Sequence, residues 1–342
     1  MTVEGREEWR CAVLALTKGG DALGRRLAAS LDGDFIACKG RLAAVFAEVW
    51  RDYPQIVCIM ATGIVVRTIA PLLQDKYRDP AIVVCDEQGR FAVSLLSGHL
   101  GGANLLAQRV ALATGGHPVL TTASDVLGHT ALDLWCRDLG LIPGDKAAFT
   151  RAMGRLVDHG SLKVWSACPL PPLPPDLHPV DDRDAADLIV DARTESAARG
   201  AFLRPRALVF GIGCNRGTPA AAIARAVAAT CAQHRLAPEA IARLASIDLK
   251  QDEAGLLEFA RDQGLTIDFF SSNQLNQVAG VSTSPAVLKA TSAKGVAEPA
   301  ALLSAGPGST LLVDKMKWTD VTTAVAEIAD PLVITTKGTL TA

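Results

Sequence analysis

The stretch Ser94–Ala111, SLLSGHLGGANLLAQRVA, decides how this chain is read. It begins as an apolar run, passes through Gly98, His99, Gly101 and Gly102, and continues as a helical pattern. A strand that becomes a helix through glycines is the junction from which α/β units are built. One glycine suffices for a turn. Three around one histidine imply a backbone that something approaches closely.

Outward from this junction, apolar runs alternate with helical patterns. CAVLALT, DFIACK, QIVCIMA and AIVVCDE read as strands. Asp21–Ala29, RLAAVFAEVW and IVVRTIAPLL read as helices between them. AIVVCDE and FAVSLLS flank the polar tip Asp86–Arg90 and predict a hairpin. HPVLTTA is a further strand and ALDLWCRDLG a helix. After a helix over Ala147–Asp158 the pattern breaks. Six prolines between Cys168 and Val180 exclude a helix or a central strand, so CPLPPLPPDLHP reads as an extended connector between subdomains.

A second α/β unit begins near Arg206. ALVFGIG is a strand, and TPAAAIARAVAAT a helix with Pro219 near its start. A strand near Ala245–Asp248, a helix ended by Gly264, and the strand LTIDFF follow. Helices near Ser272, near Pro285 and over Glu298–Leu303 precede two closing strands, STLLVDKMKW and VTTAVAEI. The expected fold class is α/β with two α/β domains. Residues 1–145 form an N-terminal doubly wound, mostly parallel sheet with the SGHLGGAN motif. Residues 146–206 form a variable middle region with the proline-rich connector. Residues 207–342 form a C-terminal mixed-sheet α/β/α sandwich with the GIGC motif.

Composition narrows the classes of function. The 342 residues are 49% hydrophobic with a net charge of −2, which suits two or three cores and disfavours nucleic-acid binding by charge. MTVEGREEWR is not a signal peptide, and no apolar run approaches the roughly 20 residues of a membrane span. A soluble cytoplasmic protein is expected. The eight cysteines form no CxxC pair and read as buried thiols. The six histidines lack HxxxH spacing, so no metal site is expected; GxSxG is absent too.

Four motifs carry candidate chemistry. GIGCNRGTP (Gly211–Pro219) suits an anion-binding turn with Arg216, or equally a tight turn without a ligand. It is not the dinucleotide fingerprint, because Gly217 falls one residue late. In ATGIVVR, Thr62 and Gly63 open a helix that Thr62 could cap, and Arg67 calls for a carboxylate, internal or on a ligand. In the opening stretch His99 and Asn104 bracket the glycines. The histidine can move a proton near neutral pH or merely hydrogen-bond at the helix start. Downstream, TTASD sets Thr122, Ser124 and Asp125 at a strand's carboxyl end, a ligand edge or a helix cap. Finally, Lys250 follows one strand, and Lys315 and Lys317 share a face of another. They suit a carboxylate-rich ligand or a solvated edge.

Taken together, ATGIVVRTIAPLLQDKYRDPAIVVCDEQGRFAVSLLSGHLGGANLLAQRVALATGGHPVLTTASD resembles the amino-terminal region of the cobalt-precorrin-5A hydrolase family of the anaerobic cobalamin pathway. GIGCNRGT, LASIDLKQDEAGLLEFA, GVAEPAALL and LLVDKMKW resemble that family's carboxyl-terminal domain. Ser124 stands where the family more often has threonine, so a hydroxyl is kept. The resemblance implies opening of the ring-A δ-lactone of a cobalt corrinoid and loss of the former meso carbon with its methyl as acetaldehyde, giving cobalt-precorrin-5B. Lactone opening needs oxyanion donors and the later carbon–carbon cleavage needs a base. The expected base is His99, with Asp125 second; the Gly101 and Gly102 amides and Asn104 are expected oxyanion donors. Thr62, Gly63, Gly98, Thr122, Gly211, Gly213 and Asn215 are expected substrate contacts. Arg67, Arg216, Lys250, Lys315 and Lys317 are expected to hold the ring carboxylates, in a cleft between the two domains. No cofactor of the protein's own is implied, since cobalt arrives with the small-molecule substrate. A homodimer and transient contact with neighbouring precorrin methyltransferases fit the same reading. A corrinoid carrier without catalysis, or a nucleotide-binding α/β protein, stands as the competing expectation.

Overall fold

The computed structural model describes residues 10–332 apart from 76–77, 195–198 and 282. Lys76 and Tyr77 of the long motif block thus lie outside the described residues. The chain divides into two compact units, 1–134 and 135–342.

The first unit holds a six-stranded sheet made of β1 (Cys11–Ala15), β2 (Asp34–Ala37), β3 (Gln55–Ile59), β4 (Ala81–Cys85), β5 (Phe91–Leu96) and β6 (His117–Val119). Its order is β2-β1-β3-β4-β5-β6. Every residue of β1, β3 and β4 is buried, which is why they read as unbroken apolar runs: helices cover both faces. On one face the helix Lys18–Leu31 buries Leu23, Leu27 and Leu31 at helical spacing and packs with Leu106, Ala107 and Val110 of the helix Ala103–Thr114. On the other, Val45, Phe46 and Val49 join Val65 and Ile69. Each leucine buried in this way contributes about 2 kcal/mol. Parallel pairing runs from β2 through β4, after which β5 returns antiparallel beside β4, as the polar hairpin tip predicts. β6 then pairs parallel to β5. The carboxyl ends of β5 and β6 therefore lie at the edge where β3 and β4 begin.

The second unit holds two sheets. The first is β7 (Ile142–Pro143), β8 (Leu162–Ser166), β9 (Leu177–Pro179), β10 (Leu188–Val190) and β11 (Ala201–Arg204), in the order β7-β11-β10-β8-β9. This corrects the reading of the proline-rich segment as a connector between subdomains. It crosses from β8 to β9 of one sheet, and Leu162 pairs with Leu177. Pro179 fits because β9 is an edge strand. The other sheet is β12 (Leu208–Cys214), β13 (Ile241–Ile247), β14 (Ile267–Phe270), β15 (Thr310–Lys317) and β16 (Val321–Glu327), in the order β14-β13-β12-β16-β15. Ile223 and Val227 of Ala220–His234 and Leu256 and Phe259 of Ala254–Gln263 fill one face. Ala300, Ala301 and Ala305 of Ala297–Ala305 fill the other. Among the described residues no helix is long and apolar enough to cross a membrane.

Candidate active site

The Ser94–Ala111 stretch folds back on itself at the end of β5. Ser97 takes a positive φ of 56° and its Oγ donates to the Asp79 carbonyl at 2.9 Å, just ahead of β4. Gly102, with φ 85°, then precedes the helix Ala103–Thr114. Backbone bonds from Ala103 N to Ser97 O (3.1 Å) and from Asn104 N to Gly98 O (3.0 Å) close the turn.

Each of the three glycines has an internal reason. A Cβ on Gly98 would stand 2.8 Å from Asn104 Oδ1, and one on Gly101 would stand 2.5 Å from Ser97 Cβ. Gly102 supplies the left-handed conformation. The glycines let the turn close around Asn104.

Asn104 is buried and its amide is fully engaged. Its Oδ1 accepts from Ser94 Oγ at 2.6 Å. Its Nδ2 donates to Thr122 Oγ1 at 3.1 Å and to Asp125 Oδ2 at 2.6 Å. Thr122 caps no amide with its side chain although it is the N-cap of the helix Ala123–Leu127, and Ser124 and Asp125 lie inside that helix rather than capping it.

His99 lies between two carboxylates. Its Nε2 is 2.9 Å from Asp125 Oδ2 and 3.3 Å from Ser124 Oγ, and its Nδ1 is 3.3 Å from Asp133 Oδ1. The Asp133 side chain is 10% exposed and the Asp125 side chain 35%, so one carboxylate is closed off and the other open. The His99 pKa is raised: the hydrogen bond to Asp133 is the largest cause, partial burial opposes it, and the bond to Asp125 adds to it. Both carboxylates favour the imidazolium, in which each ring N–H can donate to one of them.

The other candidates fall elsewhere. Thr62, Gly63 and Arg67 follow the carboxyl end of β3, across the sheet from His99. Ala61, not Thr62, is the N-cap, so Thr62 sits inside the first turn and cannot cap it. Arg67 is exposed and donates to the Gly63 carbonyl at 2.9 Å, where a carboxylate was expected. A cleft of about 310 Å³ opens at this edge between Thr17, Ala61, Ile64 and Glu87.

In the second unit, Gly211 and Gly213 are explained by packing. A Cβ on Gly211 would run into the Ala297 carbonyl, and one on Gly213 would stand 2.5 Å from Thr322 Oγ1. Asn215 donates to Asp320 Oδ1 at 3.0 Å. Arg216 pairs with Asp252, and Lys250 Nζ with buried Glu253 at 2.9 Å. Glu253 also accepts from Gly217 N at 2.7 Å, so the Gly211–Pro219 loop is braced from within. Burial works against ionising Glu253, but Lys250, the Gly217 N–H and Arg216 outweigh it and hold its pKa below the ordinary value. The Lys315 N–H donates to Glu298 Oε1 at 3.1 Å, and Lys317 is exposed.

Comparison with known proteins fits this anatomy. Residues 44–125 match the family model described as "Cobalamin synthesis G N-terminal", and residues 208–326 match "Cobalamin synthesis G C-terminus". Over 310 residues the chain is 36% identical to the cobalt-precorrin-5A hydrolase of Priestia megaterium, covering 84% of this chain and 82% of that one. The chain belongs to the cobalt-precorrin-5A hydrolase family. The Salmonella typhimurium cobalt-precorrin-5A hydrolase is 34% identical over 292 residues, 78% of this chain and 83% of the relative. A solved cobalamin biosynthesis protein G homologue from Sulfolobus solfataricus aligns over 94% of this chain and 99% of its own, at 19% identity and a TM-score of 0.39. His99, Asn104 and Asp125 fall within the hydrolase family's N-terminal model, and Asp133 lies just beyond it. β7 to β11 lie outside both models.

Sequence reasoning missed Asp133 and Ser94. Asp133 sits in the first turn of the helix Leu132–Asp138, where an acid is favoured by the helix dipole alone. Nothing in its spacing from His99 marks the contact. Ser94 is the one polar residue of β5, FAVSLL, and only pairing opposite Val83 of β4 fixes its register.

Proposed function

We propose that this chain is a cobalt-precorrin-5A hydrolase that opens the ring-A δ-lactone and releases acetaldehyde, giving cobalt-precorrin-5B, in the cytoplasm. The observation that carries the chemical assignment is His99 between Asp125 and Asp133 at the mouth of the SGHLGGAN turn. Family membership supports the substrate, which brings its own cobalt.

The site suits a two-step proton economy. Asp125, the open carboxylate, takes a proton from the attacking water as it adds to the lactone carbonyl. His99 in its protonated form gives its Nε2 proton to the departing ring oxygen, which becomes a hydroxyl. Now neutral, His99 takes that same proton back. The carbon–carbon bond breaks, its electron pair flows into the macrocycle, and acetaldehyde leaves. The proton on Asp125 goes to the carbon that received the pair. Both residues return to their starting states.

Asn104 spends both amide protons on Thr122 and Asp125, so its part is to hold Asp125 rather than to meet the oxyanion. Arg216 and Lys250 are committed to Asp252 and Glu253 within their own unit.

The test is incubation with cobalt-precorrin-5A while acetaldehyde is assayed. Release of many equivalents per chain is expected, with His99→Gln slower by about 10²–10⁴-fold. Release stopping at one equivalent would instead mark a corrinoid carrier.

A further inference from the structure

We propose that Asp133 is a positioning residue of this site: its carboxylate keeps the Nδ1 proton of His99 in place, which makes Nε2 the ring nitrogen that exchanges protons with the substrate. The inference deepens the hydrolase reading and rests on it only for what Nε2 then does.

Histidine has two ring nitrogens, and when neutral it keeps one proton on either. Which one keeps it is set by the bond the other environment offers. At His99 the two environments differ. Asp133 Oδ1 lies 3.3 Å from Nδ1 with its side chain 10% exposed; Asp125 Oδ2 lies 2.9 Å from Nε2 with its side chain 35% exposed. A closed-off carboxylate cannot trade its partner for solvent or substrate, and an open one can.

The charged groups acting on His99 come from two elements, Asp133 from Leu132–Asp138 and Asp125 from Ala123–Leu127. The Ser124 hydroxyl, 3.3 Å from Nε2, is uncharged. Asp125 is further committed to Asn104 through the oxygen that faces His99. When His99 gives up a proton, the one on Nδ1 faces the less exposed acceptor and stays. The lone pair then appears on Nε2, the nitrogen beside the open carboxylate. That lone pair is what the carbon–carbon cleavage step needs. Asp133 stands in the first turn of the helix Leu132–Asp138, where the helix dipole favours a negative charge.

The test follows ¹⁵N-histidine-labelled, ligand-free protein by NMR across pH, beside steady-state acetaldehyde release. In the wild type, His99 Nδ1 should stay protonated on both sides of a titration centred above 6.5, the ordinary histidine value. In Asp133→Asn that midpoint should fall by about one unit and the neutral form should show mixed tautomers. Its kcat should drop about tenfold or more at near-constant KM, with the basic limb of the pH profile moving down by the same unit. Asp133→Glu, which keeps the charge, should restore most of the midpoint and the rate. An unprotonated Nδ1 in neutral wild-type protein overturns the proposal, as does an Asp133→Asn midpoint equal to wild type. Should Asp133→Asn fail to fold, the wild-type Nδ1 signal decides alone. Absence of acetaldehyde from wild type would sink the hydrolase reading and leave the NMR result to judge Asp133.

Discussion

Gly98 and Asn104 are packed so closely that a Cβ on the glycine would stand 2.8 Å from the asparagine Oδ1. The glycine exists for the amide, and the amide for Asp125. Gly98→Ala should displace Asn104 from Ser94, Thr122 and Asp125 together. We expect kcat to fall by about 10²-fold, as for a small misplacement of a catalytic group. The stability cost should be about 1–3 kcal/mol. Full turnover in a folded Gly98→Ala protein would show that the amide's position does not matter.

Replacing the amide by an acid probes the same link electrostatically. Asn104→Asp sets a second carboxylate beside Asp125, at a position where Nδ2 now lies 2.6 Å from Asp125 Oδ2. Two carboxylates so close share a proton, so the acid limb of the pH–rate profile should move upward. An unmoved acid limb contradicts the role given to Asn104.

The raised His99 pKa has a stability consequence of definite sign. Folding raises the group above its ordinary 6.5, so the charged form favours the folded state. That contribution is fully present below pH 6.5 and is lost as pH rises through the folded value. Denaturant melts of wild type and His99→Gln, from about pH 5 to about pH 9, should show a gap that narrows as pH rises. A gap independent of pH would contradict the doubly bonded imidazolium.

Glu253 gives the opposite sign. Its pKa is lowered from 4.5, so its contribution is present above that value and lost as pH falls through the folded value. Glu253→Ala leaves Lys250, whose side chain is 12% exposed, without its partner. It should cost about 3 kcal/mol in a denaturant melt. A cost near zero would mean that solvent replaces the pair.

Gly211→Ala tests packing in the same unit. A methyl group there meets the Ala297 carbonyl and then Ala301 Cβ, so the helix Ala297–Ala305 must shift away from β12. Destabilisation of about 1–3 kcal/mol is expected, read as a lower melting temperature. A variant as stable as wild type would return Gly211 to the list of ligand contacts.

How much could be read beforehand depended on length and burial. β1, β3 and β4 were legible because strands buried on both faces appear as apolar runs. β7 has two residues and β9 three, too few to carry a period, and so the middle sheet stayed hidden behind its prolines. His99, Asn104 and Asp125 were legible because residues with proton or hydrogen-bonding chemistry stood near glycine-rich or strand-end signals. The reason for the glycines was not legible, because a close approach between Gly98 and Asn104 exists only once the turn is formed. Arg67 lies on an exposed face of Thr62–Ile69 and bonds the Gly63 carbonyl of its own helix, an arrangement that apolar sequence neighbours do not announce.

The reversal of β5 beside β4 has a further consequence. It carries the histidine turn to the far rim of the sheet from the rim where Thr17, Ala61 and Glu87 gather. A saturation scan of the first unit for tolerance of polar substitution should therefore show an intolerant apolar floor and an intolerant His99 rim, with the exposed Thr17, Ala61 and Glu87 tolerant. Only the His99 rim should respond selectively when the selection is for turnover rather than for folded yield. The same six strands would then report, substitution by substitution, which losses belong to chemistry and which to the scaffold.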